Sequence, residues 1–197
     1  VLTDRDAPLG RLVAIDTADP TPERWRDVIP EAGTPLAAVV AAGALLVALM
    51  LIDAQHRLDL YRRDGTFDRM IELPGIGAVE AISGQPDDPE LFLTFTSFLT
   101  PPTPYRYNLA DPDAALSPLH APAIDFDTDA YETRQVFFHS QDGTRVPMFV
   151  THRKGLSLHG DNPTLLYAYG GFNISLRPAL SPTNPAGLRH PGVFAQA

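Results

Sequence analysis

The chain has 197 residues, 44% of them hydrophobic, enough for one domain or two small ones with an ordinary core. Its formal net charge of -9 sets it against a nucleic-acid partner, which would ask for a basic patch. It has no cysteine, so a disulfide framework and thiolate chemistry are excluded and the redox compartment stays open. Twenty prolines and fourteen glycines punctuate it every few residues, which suits short strands and tight turns better than helices. No basic, apolar, small-residue leader opens the sequence, and the expectation is a soluble protein, cytoplasmic rather than periplasmic.

Strand patterns come in clusters before residue 124. Arg11 to Asp16 is the first, with Trp25 to Ile29 as its partner. The second pairs Ala37 to Val40 with Leu45 to Ile52 and then Leu58 to Tyr61. This cluster contains Leu36 to Ile52, a charge-free run at the short edge of membrane-spanning length. Gly43 divides the run into two strand-length halves, and aromatic or basic anchors do not flank it closely at both ends. Two buried strands are therefore expected there, and no membrane span. The third cluster holds Ala78 to Ser83, Leu91 to Ser97 and Pro104 to Asn108. Repeated groups of short antiparallel strands separated by turns suit propeller blades, and from the pattern alone they suit a β-sandwich nearly as well.

Residues 109 to 130 are richer in proline, alanine and aspartate and read as a solvated connector. Asp125, Asp127 and Asp129 alternate like calcium ligands, but the glycine and distal glutamate of an EF-hand loop are missing. No metal site is expected. Beyond Tyr131, Asp142-Gly143 marks a turn between Gln135 to His139 and Arg145 to Thr151, predicting a hairpin. Arg153 and Lys154 read as its solvated exit. Leu165 to Tyr169 forms a short apolar run, the pattern of a strand covered on both faces. Gly170 and Gly171 then let the backbone turn or approach a ligand closely. The six histidines, His56, His120, His139, His152, His159 and His190, show no metal-ligand spacing, and all read as structural or surface residues.

The run Tyr167-Ala-Tyr-Gly-Gly-Phe-Asn173 resembles the Tyr-Gly-Tyr-Gly-Gly-Phe-Asn segment of prolyl oligopeptidases, serine peptidases that cleave after proline. Tyr131 to Val150 resembles the opening hairpin of that family's peptidase domain. Ser83-Gly-Gln85, Phe95 to Leu99, Val1 to Arg5 and Arg11 to Asp16 resemble pieces of its β-propeller. These segments occur in family order over nearly the whole chain.

The resemblance implies a mainly β chain: an incomplete β-propeller followed by the first strands of an α/β-hydrolase domain. Residues 1–123 would be late propeller blades, 124–130 a linker, and 131–197 the start of the peptidase domain. It implies short proline-containing peptides as substrates and no cofactor. It places the catalytic serine, aspartate and histidine beyond Ala197, and no Gly-x-Ser-x-Gly nucleophile elbow occurs among the 197 residues. The expectation is thus a fragment, inactive alone, whose last residues, Gly192 to Ala197, are a hydrophobic strand cut off midway.

Two residues carry chemistry by this resemblance. Tyr169 matches the tyrosine whose hydroxyl donates to the oxyanion of the tetrahedral intermediate. A phenol, with a pKa of about 10, remains a donor at neutral pH. Phe172 matches a phenylalanine lining the proline-binding S1 pocket, where an aromatic face suits a pyrrolidine ring. Tyr167 reads as core packing, and Asn173 as a brace for the turn. Oligopeptidase B and acylaminoacyl peptidases are related alternatives. Oligopeptidase B typically has Gly-Ser-Tyr-Gly where this chain has Gly170-Gly-Phe-Asn173, which favours the proline-specific branch. A non-catalytic propeller module is the remaining alternative.

Overall fold

The computed structural model describes residues 1–120, 122–172, 174–181, 188 and 192–197. Its regular structure is almost entirely strand. The first sheet comprises β1 (Leu2–Thr3), β2 (Arg11–Ala14) and β3 (Arg26–Ile29), in that order. The second is a meander of β4 (Leu36–Ala42), β5 (Leu45–Ile52), β6 (Gln55–Arg62) and β7 (Phe67–Ile71). The third repeats that plan with β8 (Ala78–Gly84), β9 (Glu90–Thr96), β10 (Thr103–Asn108) and β11 (Ser117–Pro118). All pairings within these sheets are antiparallel.

The charge-free run is explained by its position between two sheets. In β5, Val47 and Leu49 face one way and join Leu58, Leu60, Val79, Leu91 and Phe95 in the core between the second and third sheets. Leu46, Ala48 and Met50 face the other way and cluster with Val28 and Ile29 of the first sheet and with Leu36 at the start of β4. A strand buried on both faces has no position for a charge, so its sequence is continuously apolar. No helix among the described residues is long and apolar enough to cross a membrane.

Close approach between neighbouring sheets depends on small residues. A Cβ added at Gly84 would lie 2.5 Å from the Cβ of Ala42 on the adjacent sheet. The β4–β5 turn uses Gly43 at φ 52°, and its N–H donates to Gln85 O at 2.8 Å, tying the turn to the third sheet. The stacked sheets have the arrangement of propeller blades, and those described do not close into a ring. β7 was not predicted from sequence: it is an edge strand, Phe-Asp-Arg-Met-Ile, with Phe67 and Met70 exposed, so it lacks the apolar face of an inner strand.

A fourth sheet contains β12 (Tyr131–His139), β13 (Arg145–Arg153), β14 (Thr164–Tyr167) and β15 (Val193–Gln196), in the order β12-β13-β15-β14. β12 and β13 form the expected hairpin around Gly143 at φ 85°. The Asp142 carboxylate accepts from the Thr144 N–H at 3.0 Å and from the Ser140 hydroxyl. These donors stabilise its charged form and hold its pKa down at about 2. β15 runs antiparallel to β13 and parallel to β14.

The expectation for β14 needs correction. It is an edge strand with Leu165, Leu166 and Tyr167 all exposed, because its register places β15 on one side and no described strand on the other. The apolar run that reads as a doubly covered strand fits β15 better: all four of its residues are buried, at the centre of the sheet. Tyr167, read as core packing, is likewise about half exposed.

Candidate functional site

Chain turns at one end of the second and third sheets face the fourth sheet. Phe98, on the β9–β10 connection and 1% exposed, inserts between Phe149 of β13 and Phe194 of β15, with ring centroids 5.6 Å from each. Tyr131 stacks on Phe126 at 4.7 Å and donates its hydroxyl proton to Leu188 O at 2.9 Å. The β5–β6 turn also reaches across. Its two central residues, Asp53 and Ala54, have φ of 47° and 65°, the left-handed pair of a tight hairpin turn. Its exposed carbonyl and carboxylate are used: Gln135 donates to Asp53 O at 2.6 Å, and Arg145 to Asp53 Oδ1 at 3.3 Å. Gln55 donates to Gln135 at 3.1 Å. The Arg145 guanidinium also lies 3.4 Å from the centroid of the Phe137 ring.

The sequence-derived site residues follow β14. Tyr169 is 42% exposed. Its side chain folds over Gly171, where an added Cβ would lie 3.2 Å from the tyrosine hydroxyl. Phe172 is 90% exposed and has φ 55°. Left-handed backbone is rare for a bulky residue and costs on the order of 1–2 kcal/mol. Neither Gly170 nor Gly171 takes positive φ, so the strained position of this turn is the phenylalanine and not a glycine. The Ile174 N–H donates to Gly171 O at 3.1 Å and closes the turn. Asn173 and His190 lie outside the described residues.

One residue that the sequence reading assigned to structure stands at the junction. His56, at the start of β6, is 6% exposed, and its Nδ1 accepts the Val79 N–H at 2.9 Å. Its Nε2 lies 3.4 Å from Nη1 of Arg177. Burial and then the Arg177 charge disfavour the imidazolium and lower its pKa to about 4. The ring is therefore neutral at pH 7. It lines an open cleft of about 690 Å³ with Gln55, Arg57, Met70, Glu72 and Ile76. Nothing in the local sequence around His56 signals this, because its partners lie 23 and 121 residues away. Among the described residues no group of three or more His, Cys, Asp or Glu side chains could hold a metal.

Stacked antiparallel sheets joined at one end to a further mixed sheet define a propeller-type β protein. Residues 1–117 match the family profile described as the prolyl oligopeptidase N-terminal β-propeller domain. A prolyl endopeptidase of Elizabethkingia meningoseptica is 38% identical over 195 residues, covering 99% of this chain and 27% of the relative. A dual-function macrocyclase-peptidase of Amanita bisporigera is 34% identical over 186 residues, covering 92% and 25%. A solved structure from a study of two prolyl endopeptidases superposes with a TM-score of 0.89 at 35% identity, over 99% of this chain and 29% of that one. Prolyl oligopeptidase B of Galerina marginata, bound to a 35-residue substrate, gives 0.87 at 30% identity, over 99% and 28%. The chain belongs to the prolyl oligopeptidase family. It spans about a quarter of the length of the curated relatives it matches.

Proposed function

We propose that this chain is part of a serine endopeptidase that cleaves short peptides after proline through an acyl-enzyme. The observation that carries this reading is the 38% identity to a prolyl endopeptidase across 99% of the chain. In this reading residues 1–123 are late propeller blades, 124–130 a linker, and 131–197 the opening strands of the α/β-hydrolase domain. A hairpin leading into a parallel pair, β14 beside β15, suits the edge of such a sheet. The protein acts in solution, in the cytoplasm.

Within that enzyme Tyr169 is the oxyanion donor. Attack on the scissile carbonyl builds negative charge on its oxygen, and a hydroxyl held there stabilises the transition state more than the ground state. The side chain stands just past the carboxyl end of β14, where ligands gather in α/β folds. Phe172 forms a wall of the proline pocket. Its outward position at a left-handed turn presents the whole ring, and backbone strain of this kind concentrates at functional sites. The serine nucleophile, its base and the orienting acid come from outside these residues, and the 197-residue chain alone is inactive.

The test is hydrolysis of a chromogenic Gly-Pro amide by the intact protein, with and without an organophosphorus fluoridate that traps active serines. Turnover abolished by the fluoridate supports the reading. Turnover indifferent to it, or absent for every peptide amide tried, rejects it.

A further inference from the structure

The His56–Arg177 contact is not a hydrogen bond. A backbone N–H can only donate, so the Val79 bond fixes Nδ1 as the acceptor nitrogen of the ring. The proton of the neutral imidazole is then on Nε2, the nitrogen that faces Arg177. A guanidinium has donors only. Two N–H groups thus meet across 3.4 Å. Nitrogens at that separation can both reach a single oxygen at the usual distance of about 2.9 Å, so the pair is geometrically a two-pronged donor. The guanidinium charge favours an anionic acceptor, and charge-assisted bonds of this kind are the strong ones.

The surroundings narrow the ligand further. Arg57, the next residue along β6, is engaged by Asp59 through bonds of 2.8 and 2.6 Å and does not compete. Arg177 is exposed and makes no ion pair with a carboxylate among the described residues. The cleft beside His56 is walled by the apolar side chains of Met70, Leu73 and Ile76, while Glu72 lines it too and repels a second negative charge. We propose that His56 and Arg177 form a binding site for a single carboxylate group, on a ligand whose apolar body lies along this cleft. A small organic acid and the C-terminus of a peptide share that chemistry. The inference rests on the donor geometry and not on the peptidase reading.

The test follows the imidazole ¹⁵N resonances of His56 in the intact protein during titration with butyrate, butyramide, acetyl-Ala-Ala and acetyl-Ala-Ala amide. Both carboxylates should shift Nε2 saturably and neither amide should. Tighter binding of acetyl-Ala-Ala than of butyrate identifies a peptide C-terminus as the ligand, and the reverse identifies a small acid. Arg177→Met leaves the His56–Val79 bond untouched and should weaken binding about tenfold or more, the loss of one charge-assisted hydrogen bond. Glu72→Gln should tighten it. Equal responses to acid and amide, or unchanged binding in Arg177→Met, would overturn the proposal.

Discussion

Acidification should destabilise the protein through His56, and the size of the effect follows from the burial of its ring. The pKa is about 4 in the folded state against a reference of 6.5. Between those values the unfolded chain binds the proton that the folded chain refuses. The stabilisation is complete above pH 6.5 and is lost as the pH falls toward 4. Its magnitude is about 2–3 kcal/mol, allowing for solvent that reaches the ring through the cleft. His56→Gln is the informative variant, because an amide oxygen can still accept the Val79 N–H but does not titrate. Urea denaturation of both proteins at pH 7 and at pH 4.5 gives the comparison, and the difference between them cancels the carboxylates they share. The wild type should lose stability relative to the variant on acidification. Parallel losses, or a larger loss in the variant, would refute the assignment of a neutral, buried His56.

Three further outcomes are expected. Gly84→Ala places a methyl 2.5 Å from the Ala42 methyl, forces the second and third sheets apart, and should cost about 1–3 kcal/mol in thermal or urea unfolding. The 197-residue chain, purified alone, should leave chromogenic Gly-Pro amides intact, since it has no Gly-x-Ser-x-Gly elbow; turnover that persists through repurification and vanishes in Tyr169→Phe would contradict this. The intact protein should fractionate without detergent, because both faces of β5 are already covered by neighbouring sheets; recovery only in carbonate-washed membranes would count against that packing.

The inner strands were legible because the forces that form them are local and repetitive. Gly43 between two apolar halves and Asp142-Gly143 between alternating segments each predict a turn, and both turns are present. β7 was hidden because an edge strand needs only one apolar flank, and Asp68 and Arg69 break the pattern. The apolar run at β14 misled for a related reason. A continuous apolar strand records burial in some assembly, but only strand order decides which chain segments cover it, and β15 rather than β14 takes the central place. Tyr169 and Phe172 came from a motif, and both side chains are exposed at the turn after β14. His56 could not be singled out, because its role depends on Val79 and Arg177 arriving from two other parts of the chain.

Steady-state kinetics of the intact protein on paired Gly-Pro and Gly-Ala amides, for wild type, Tyr169→Phe and Phe172→Ala, tests the central claim most directly. Loss of the Tyr169 hydroxyl should lower kcat about 10- to 1000-fold with little change in KM, the signature of a contact made mainly in the transition state. Phe172→Ala should cost the proline substrate about 1–3 kcal/mol more in kcat/KM than the alanine substrate. An unchanged kcat in Tyr169→Phe with chemistry rate-limiting, together with equal losses on both substrates in Phe172→Ala, would remove both residues from the active site and contradict the account.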